Sequence, residues 1–142
     1  MFGALGALNM HYAISFETEI FDLESEKINS INPIKGYSVG NWFKPHLESA
    51  KITVSEIDEE DWGWYSIAKY KDGSYLIGFI ALPDEKGIEP PEIIVQVDRV
   101  RSFWKKLLGK DTIQASDEIC KIIKKIIDDC KDFNKIEVVN GA

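Results

Sequence analysis

The chain reads as an α+β domain, a mostly antiparallel sheet of five or six strands with two helices packed on one face. Three observations predict it. Asp72-Gly73 lies between two strand-like runs, Tyr65 to Lys71 and Ser74 to Leu82, and a two-residue Asp-Gly link is the strongest short-range hairpin signal. Further strand-like runs follow at short intervals, and short links allow only antiparallel neighbours. Ile119, Cys120, Ile123, Ile126, Ile127 and Cys130 recur at helical spacing, which marks one firm amphipathic helix.

The elements are expected in the order β-α-β-β-β-β-α-β. Tyr12, Ile14 and Phe16 alternate with Ala13, Ser15 and Glu17 and predict a half-buried first strand. Asp22 to Tyr37 carries Asn29, Asn32, Pro33 and Gly36 and reads as a loop, with Ile28, Ile31 and Ile34 pinning it to the body of the domain. Ser38 is the expected N-cap of a helix from Val39 to Ser49, with Pro45 as a source of a kink. Lys51 to Ile57 alternates imperfectly and is assigned to a strand. Gly78, inside the second hairpin strand, predicts a bulge or a close approach by another group. Pro83 to Pro91 is a charged loop, and Glu92 to Val100 is the next strand. Arg101 to Lys110 forms an amphipathic turn around Phe103, Trp104, Leu107 and Leu108, ended by Gly109. Asp111 or Thr112 then caps the long helix, and Ile136 to Val139 closes the sheet.

Residues 10–142 are expected to form one domain. Residues 1–9 are apolar and small but carry no basic n-region, so they read as a frayed extension rather than an export signal. No apolar run approaches the ~18 residues that span a bilayer. The formal net charge is -7, which opposes binding to nucleic acid or to an anionic membrane and favours steered encounter with a basic protein. Cys120 and Cys130 fall in one helix, too far apart to pair. Two unpaired thiols point to a reducing, cytoplasmic setting.

Asp58-Glu59-Glu60-Asp61 runs directly into Trp62-Gly63-Trp64, the least average composition in the chain. Consecutive carboxylates lack the alternate spacing and central glycine of a calcium loop, so the plain reading is a solvated acidic turn. Trp62 and Trp64 are expected on one face of a strand, filling the core, with Asp61 partly exposed; exposed tryptophans would instead anchor a partner. His11 and His46 have no metal-ligand spacing to another His or Cys. No catalytic set, metal site or cofactor motif is predicted. Arg99, Arg101, Lys105, Lys106 and Lys110, interleaved with Phe103 and Trp104, form a basic stretch read as an ion-paired edge rather than a nucleic-acid surface.

The Glu60-Asp61-Trp62-Gly63-Trp64 element, the hairpin strand Tyr75-Leu76-Ile77-Gly78, the run Ile94-Val95-Gln96-Val97 and the stretch from Arg101 to Gly109 together resemble a group of small bacterial proteins of unknown function. The resemblance implies a bacterial origin and no activity; some members look like immunity proteins of toxin systems. Two functions are therefore expected. The first is a non-enzymatic protein-binding domain, of immunity or adaptor type, that uses Asp58, Glu59, Glu60, Asp61, Trp62 and Trp64. The alternative is a small-molecule-binding domain or minor enzyme with a pocket between sheet and helices near Asp61, Trp62, Trp64 and His46.

Overall fold

The computed structural model describes residues 12–101, 105, 107–108 and 112–139. The expected extension at 1–9, His11, Phe103, Trp104, Gly109 and Asp111 lie outside the described residues.

The described elements are β1 (Tyr12–Glu17), α1 (Tyr37–Ser49), β2 (Thr53–Val54), β3 (Asp58–Glu60), β4 (Gly63–Tyr70), β5 (Gly73–Leu82), β6 (Glu92–Arg99), α2 (Glu118–Asp128) and β7 (Asn134–Val138). The seven strands form one antiparallel sheet in the order β2-β4-β5-β6-β1-β7, with β3 also pairing to β4. The expected α+β class is the observed one, with one strand more than predicted.

Side chains alternate across the sheet. Trp64, Ile77, Phe79, Ile93, Val95, Ile14 and Phe16 face the layer that buries Val39, Phe43 and Leu47 of α1 and Ile119, Cys120, Ile123 and Ile127 of α2. A smaller cluster of Ala13, Trp62, Ile80 and Ile94, joined by Ile34, Tyr65, Leu76 and Leu82, occupies the other face. β1 is thus buried on both faces, where its alternation predicted one.

Several boundaries differ from expectation for identifiable reasons. α1 starts at Tyr37, not Val39, and Ser38 is not its cap. The Glu26 carboxylate takes that role, accepting the N–H of Gly36 (2.8 Å), Tyr37 (3.1 Å) and Ser38 (3.0 Å) and the Ser38 hydroxyl (2.7 Å). A negative group there also complements the positive helix end. Pro45 lies inside α1 without ending it. The strand expected over 51–57 is only Thr53–Val54; the chain leaves the ladder and re-enters at Asp58. The hairpin turn sits one residue earlier than its Asp-Gly signal: Tyr70 pairs with Gly73, and Lys71 carries the positive φ of 53°. Gly73 is required for space instead, because a Cβ there would lie 2.5 Å from the Tyr75 hydroxyl oxygen.

Gly78 marks a close approach and not a bulge. The β4–β5 register runs through it unbroken, and a Cβ would meet the Trp62 ring and the Gln96 side chain, both at 2.7 Å. α2 begins only at Glu118, with Asp117 rather than Thr112 in the cap position, and it ends at Asp128. Cys130 therefore follows the helix instead of lying in it. Both thiols are free, Cys120 buried and Cys130 half-buried. The last strand starts at Asn134, two residues before its predicted position.

Burial gives this core an alkaline limit. Desolvation, reinforced by Cys120 and Asp128, pushes the Tyr12 hydroxyl from 10.0 to about 12. Desolvation and Asp117 push the Cys120 thiol from 9.0 to about 12. Both groups hold their protons more tightly folded than unfolded. Stability is therefore unaffected by them well below pH 9 and falls as pH rises toward about 12, by about 1.4 kcal/mol per pH unit for each group titrated in the unfolded chain. Urea midpoints across this interval should fall, and Cys120→Val should delay the onset by removing the earlier of the two titrations. Midpoints constant to pH 12 would contradict this.

Candidate functional site

The acidic run is a strand and not the expected free turn. Asp58, Glu59 and Glu60 pair with Tyr65, Trp64 and Gly63 of β4, and Asp61 and Trp62 make the connection. Gly63, at a φ of 155°, lets the chain reverse this tightly, and a Cβ there would meet Ile80 at 2.9 Å.

This reversal separates the two tryptophans. They lie on opposite faces, not on one as expected, because Trp62 precedes the strand while Trp64 belongs to it. Trp64 is fully buried in the helix-side core, its indole donating to the Ile34 carbonyl at 2.9 Å. Trp62, 4% exposed, covers Gly78 in the other cluster. Neither ring offers a surface to a partner. Asp58, Glu60 and Asp61 are exposed and Glu59 is half-exposed.

The β1–α1 loop straps this element in place. The buried Asn29 amide donates to the carbonyls of Glu60 and Gly63, both at 2.9 Å, while its own oxygen accepts the N–H of Ile31 (2.9 Å) and Asn32 (3.1 Å). The Asn32 amide donates to the Asp61 carbonyl at 2.9 Å. The Ser30 hydroxyl and its N–H (2.8 Å) both donate to the Glu59 carboxylate, and these bonds hold that carboxyl below its usual range. Held this way, the loop turns Ile28 (76% exposed) and Ile31 (56% exposed) outward. The expectation that all three isoleucines pin the loop is corrected: only Ile34 packs inward, and hydrogen bonds replace the other two.

Asn29→Ala would leave two carbonyls and two N–H groups without their partner. It is expected to cost about 1–3 kcal/mol, read as a lowered thermal midpoint. Exchange of the β3 and β4 amides should accelerate with it. An unchanged midpoint would show that the strap is dispensable.

The topology gathers more acid around this element. Glu17 pairs with Glu92, which also pairs with Leu82, and β4 begins beside the end of β5. The β1–α1 loop, the β3–β4 turn and the β5–β6 loop therefore share one end of the sheet. They bring Glu17, Glu19, Asp22 and Glu24, then Asp58 to Asp61, then Asp84, Glu85, Glu89 and Glu92 to that end, against Lys27, Lys35 and Lys86; the start of β7 adds Lys131, Asp132 and Lys135, the last paired with Glu17 at 3.5 Å. At the opposite end three cations have acidic partners: Lys71 with Glu118 (2.9 Å), Arg99 with Asp117 (3.1 Å) and Arg101 with Asp98 (3.6 Å).

The residues of the alternative pocket do not converge. His46 is exposed on α1, stacked on Trp42 at 3.9 Å and bonded to the Trp42 carbonyl at 2.8 Å. The shallow cavity beside it, about 210 Å³, is bounded by Pro45, Ser49 and Ile126 and not by Asp61 or either tryptophan. Among the described residues no cluster of three or more His, Cys, Asp or Glu is arranged to hold a metal ion. No described helix is long and apolar enough to cross a membrane.

Sequence reasoning missed Asn29, Glu26 and the outward isoleucines. Only the asparagine-rich composition of residues 29–32 hinted at a side-chain-bonded turn. No protein-family model, curated protein or solved structure matches the chain.

Proposed function

We propose that the protein is a non-enzymatic binding domain that docks a basic protein through the acidic end of its sheet. One observation carries this reading. The edge Asp58–Asp61 is fixed by hydrogen bonds beside Ile28 and Ile31, so exposed carboxylates flank two rigidly presented apolar side chains. Charge steers the encounter and apolar side chains supply contact area once it is made. Asp58, Glu59, Glu60 and Asp61 belong to the surface; Trp62 and Trp64 support it from below. An immunity or adaptor role, as the resemblance implies, is one form of this function. The ion pairs of Arg99 and Arg101 support a partner other than nucleic acid, and the free thiols support a reducing, cytoplasmic setting.

The test compares the wild-type protein with an Ile31→Glu/Glu60→Lys/Asp61→Lys variant of equal thermal midpoint, each immobilised in extract from its own host. A basic protein retained by the wild type, lost on the variant and bound about tenfold more slowly as salt rises is the expected result. Equal retention on both would sink the proposal.

A further inference from the structure

At the acidic end, a groove of about 350 Å³ opens between the β1–α1 loop and the β5–β6 loop. Its apolar walls are Phe21, Leu23, Pro83 and Pro91. These walls are stiff: each proline fixes its own φ, and Phe21 rests edge-on against Trp42, 6.2 Å between centroids, and packs at a tilt against Phe133 at 6.0 Å. Glu19, Asp22 and Glu24 also line it, with Lys35 as the one cation among the described residues, so this lining is net negative.

Resting on the reading of this end as a docking surface, we infer that the groove is a socket for a long cationic side chain, arginine in preference to lysine, on an extended basic segment of the partner. An apolar slot with an acidic border matches both parts of such a side chain. The methylene stem lies along the prolines and Phe21, and the charged head meets Glu19 and Glu24. Arginine is preferred because its guanidinium is planar and weakly hydrated, stacks on ring faces and engages carboxylates in a fork; an ammonium loses more hydration on entering the same slot. A preformed wall also reduces the ordering cost of binding.

The inference is tested with blocked hexa-arginine and hexa-lysine peptides, titrated at low salt and followed by amide chemical shifts. The arginine peptide should bind about fivefold more tightly and shift the amides of residues 19–24 and the segment around Pro83 and Pro91. Glu19→Gln/Glu24→Gln should weaken it by about tenfold, whereas Glu60→Gln/Asp61→Asn should leave the groove shifts in place. Binding of both peptides equally, with shifts confined to β3, would overturn the socket and leave the acidic docking end standing. Failure of both peptides to bind would overturn both.

Discussion

Trp64→Ala should lower the stability of this protein by about 3–5 kcal/mol, the range for deleting a large aromatic side chain from a core. The indole is fully buried between sheet and helix. Tyr37 packs edge-on against it at a centroid distance of 5.0 Å, and its N–H holds the Ile34 carbonyl. The substitution therefore opens a cavity, orphans an acceptor and unfastens the end of the β1–α1 loop from β4. Thermal melting of Trp64→Ala beside Asp61→Asn makes the comparison internal, because Asp61 is exposed and its backbone carbonyl, which bonds Asn32, is retained. A midpoint for Trp64→Ala near that of Asp61→Asn would refute the assignment of Trp64 to the core.

Glu26→Ala is expected to cost about 2–3 kcal/mol, more than an ordinary cap, because one carboxylate serves three backbone donors and a hydroxyl. Among the described residues no other side chain caps the start of α1. The junction has little room to adjust. Gly36, at a φ of 149°, lies so close to β5 that a Cβ would fall 2.4 Å from the Phe79 carbonyl oxygen. Glu26→Gln keeps the shape with one acceptor oxygen and should fall between the parent and Glu26→Ala in denaturant midpoint. Equal loss in both variants would show that the charge, not the hydrogen bonding, holds the helix start.

The elements legible in the sequence are those whose periodicity reports burial. Ile119, Cys120, Ile123 and Ile127 announce α2, and the run from Tyr65 to Leu82 announces the hairpin. Boundaries were less legible, because side chains distant in sequence decide them. Glu26 starts α1 from ten residues away, and Glu118 is the first residue of α2 although good helix formers do not begin there. Turn chemistry misplaced the hairpin by one residue since Lys71 tolerates the left-handed conformation that glycine was expected to supply. At the candidate site, composition identified the right segment and the wrong anchors. A single tight reversal at Gly63 sends Trp62 and Trp64 to different faces, and a period-two reading does not contain that reversal. Ile28 and Ile31 looked like pins because apolar residues usually are; Asn29 performs that task through four hydrogen bonds, for which no spacing rule exists.

The excess of carboxylates at one end, against the ion-paired Lys71, Arg99 and Arg101 at the other, makes the molecule an electric dipole aligned with its strands. In the field of an approaching cation such a body experiences a torque before any contact forms. On a positively charged surface the molecules should therefore adsorb standing in one orientation, loops down, with the Lys71–Asp72 turn pointing into solution.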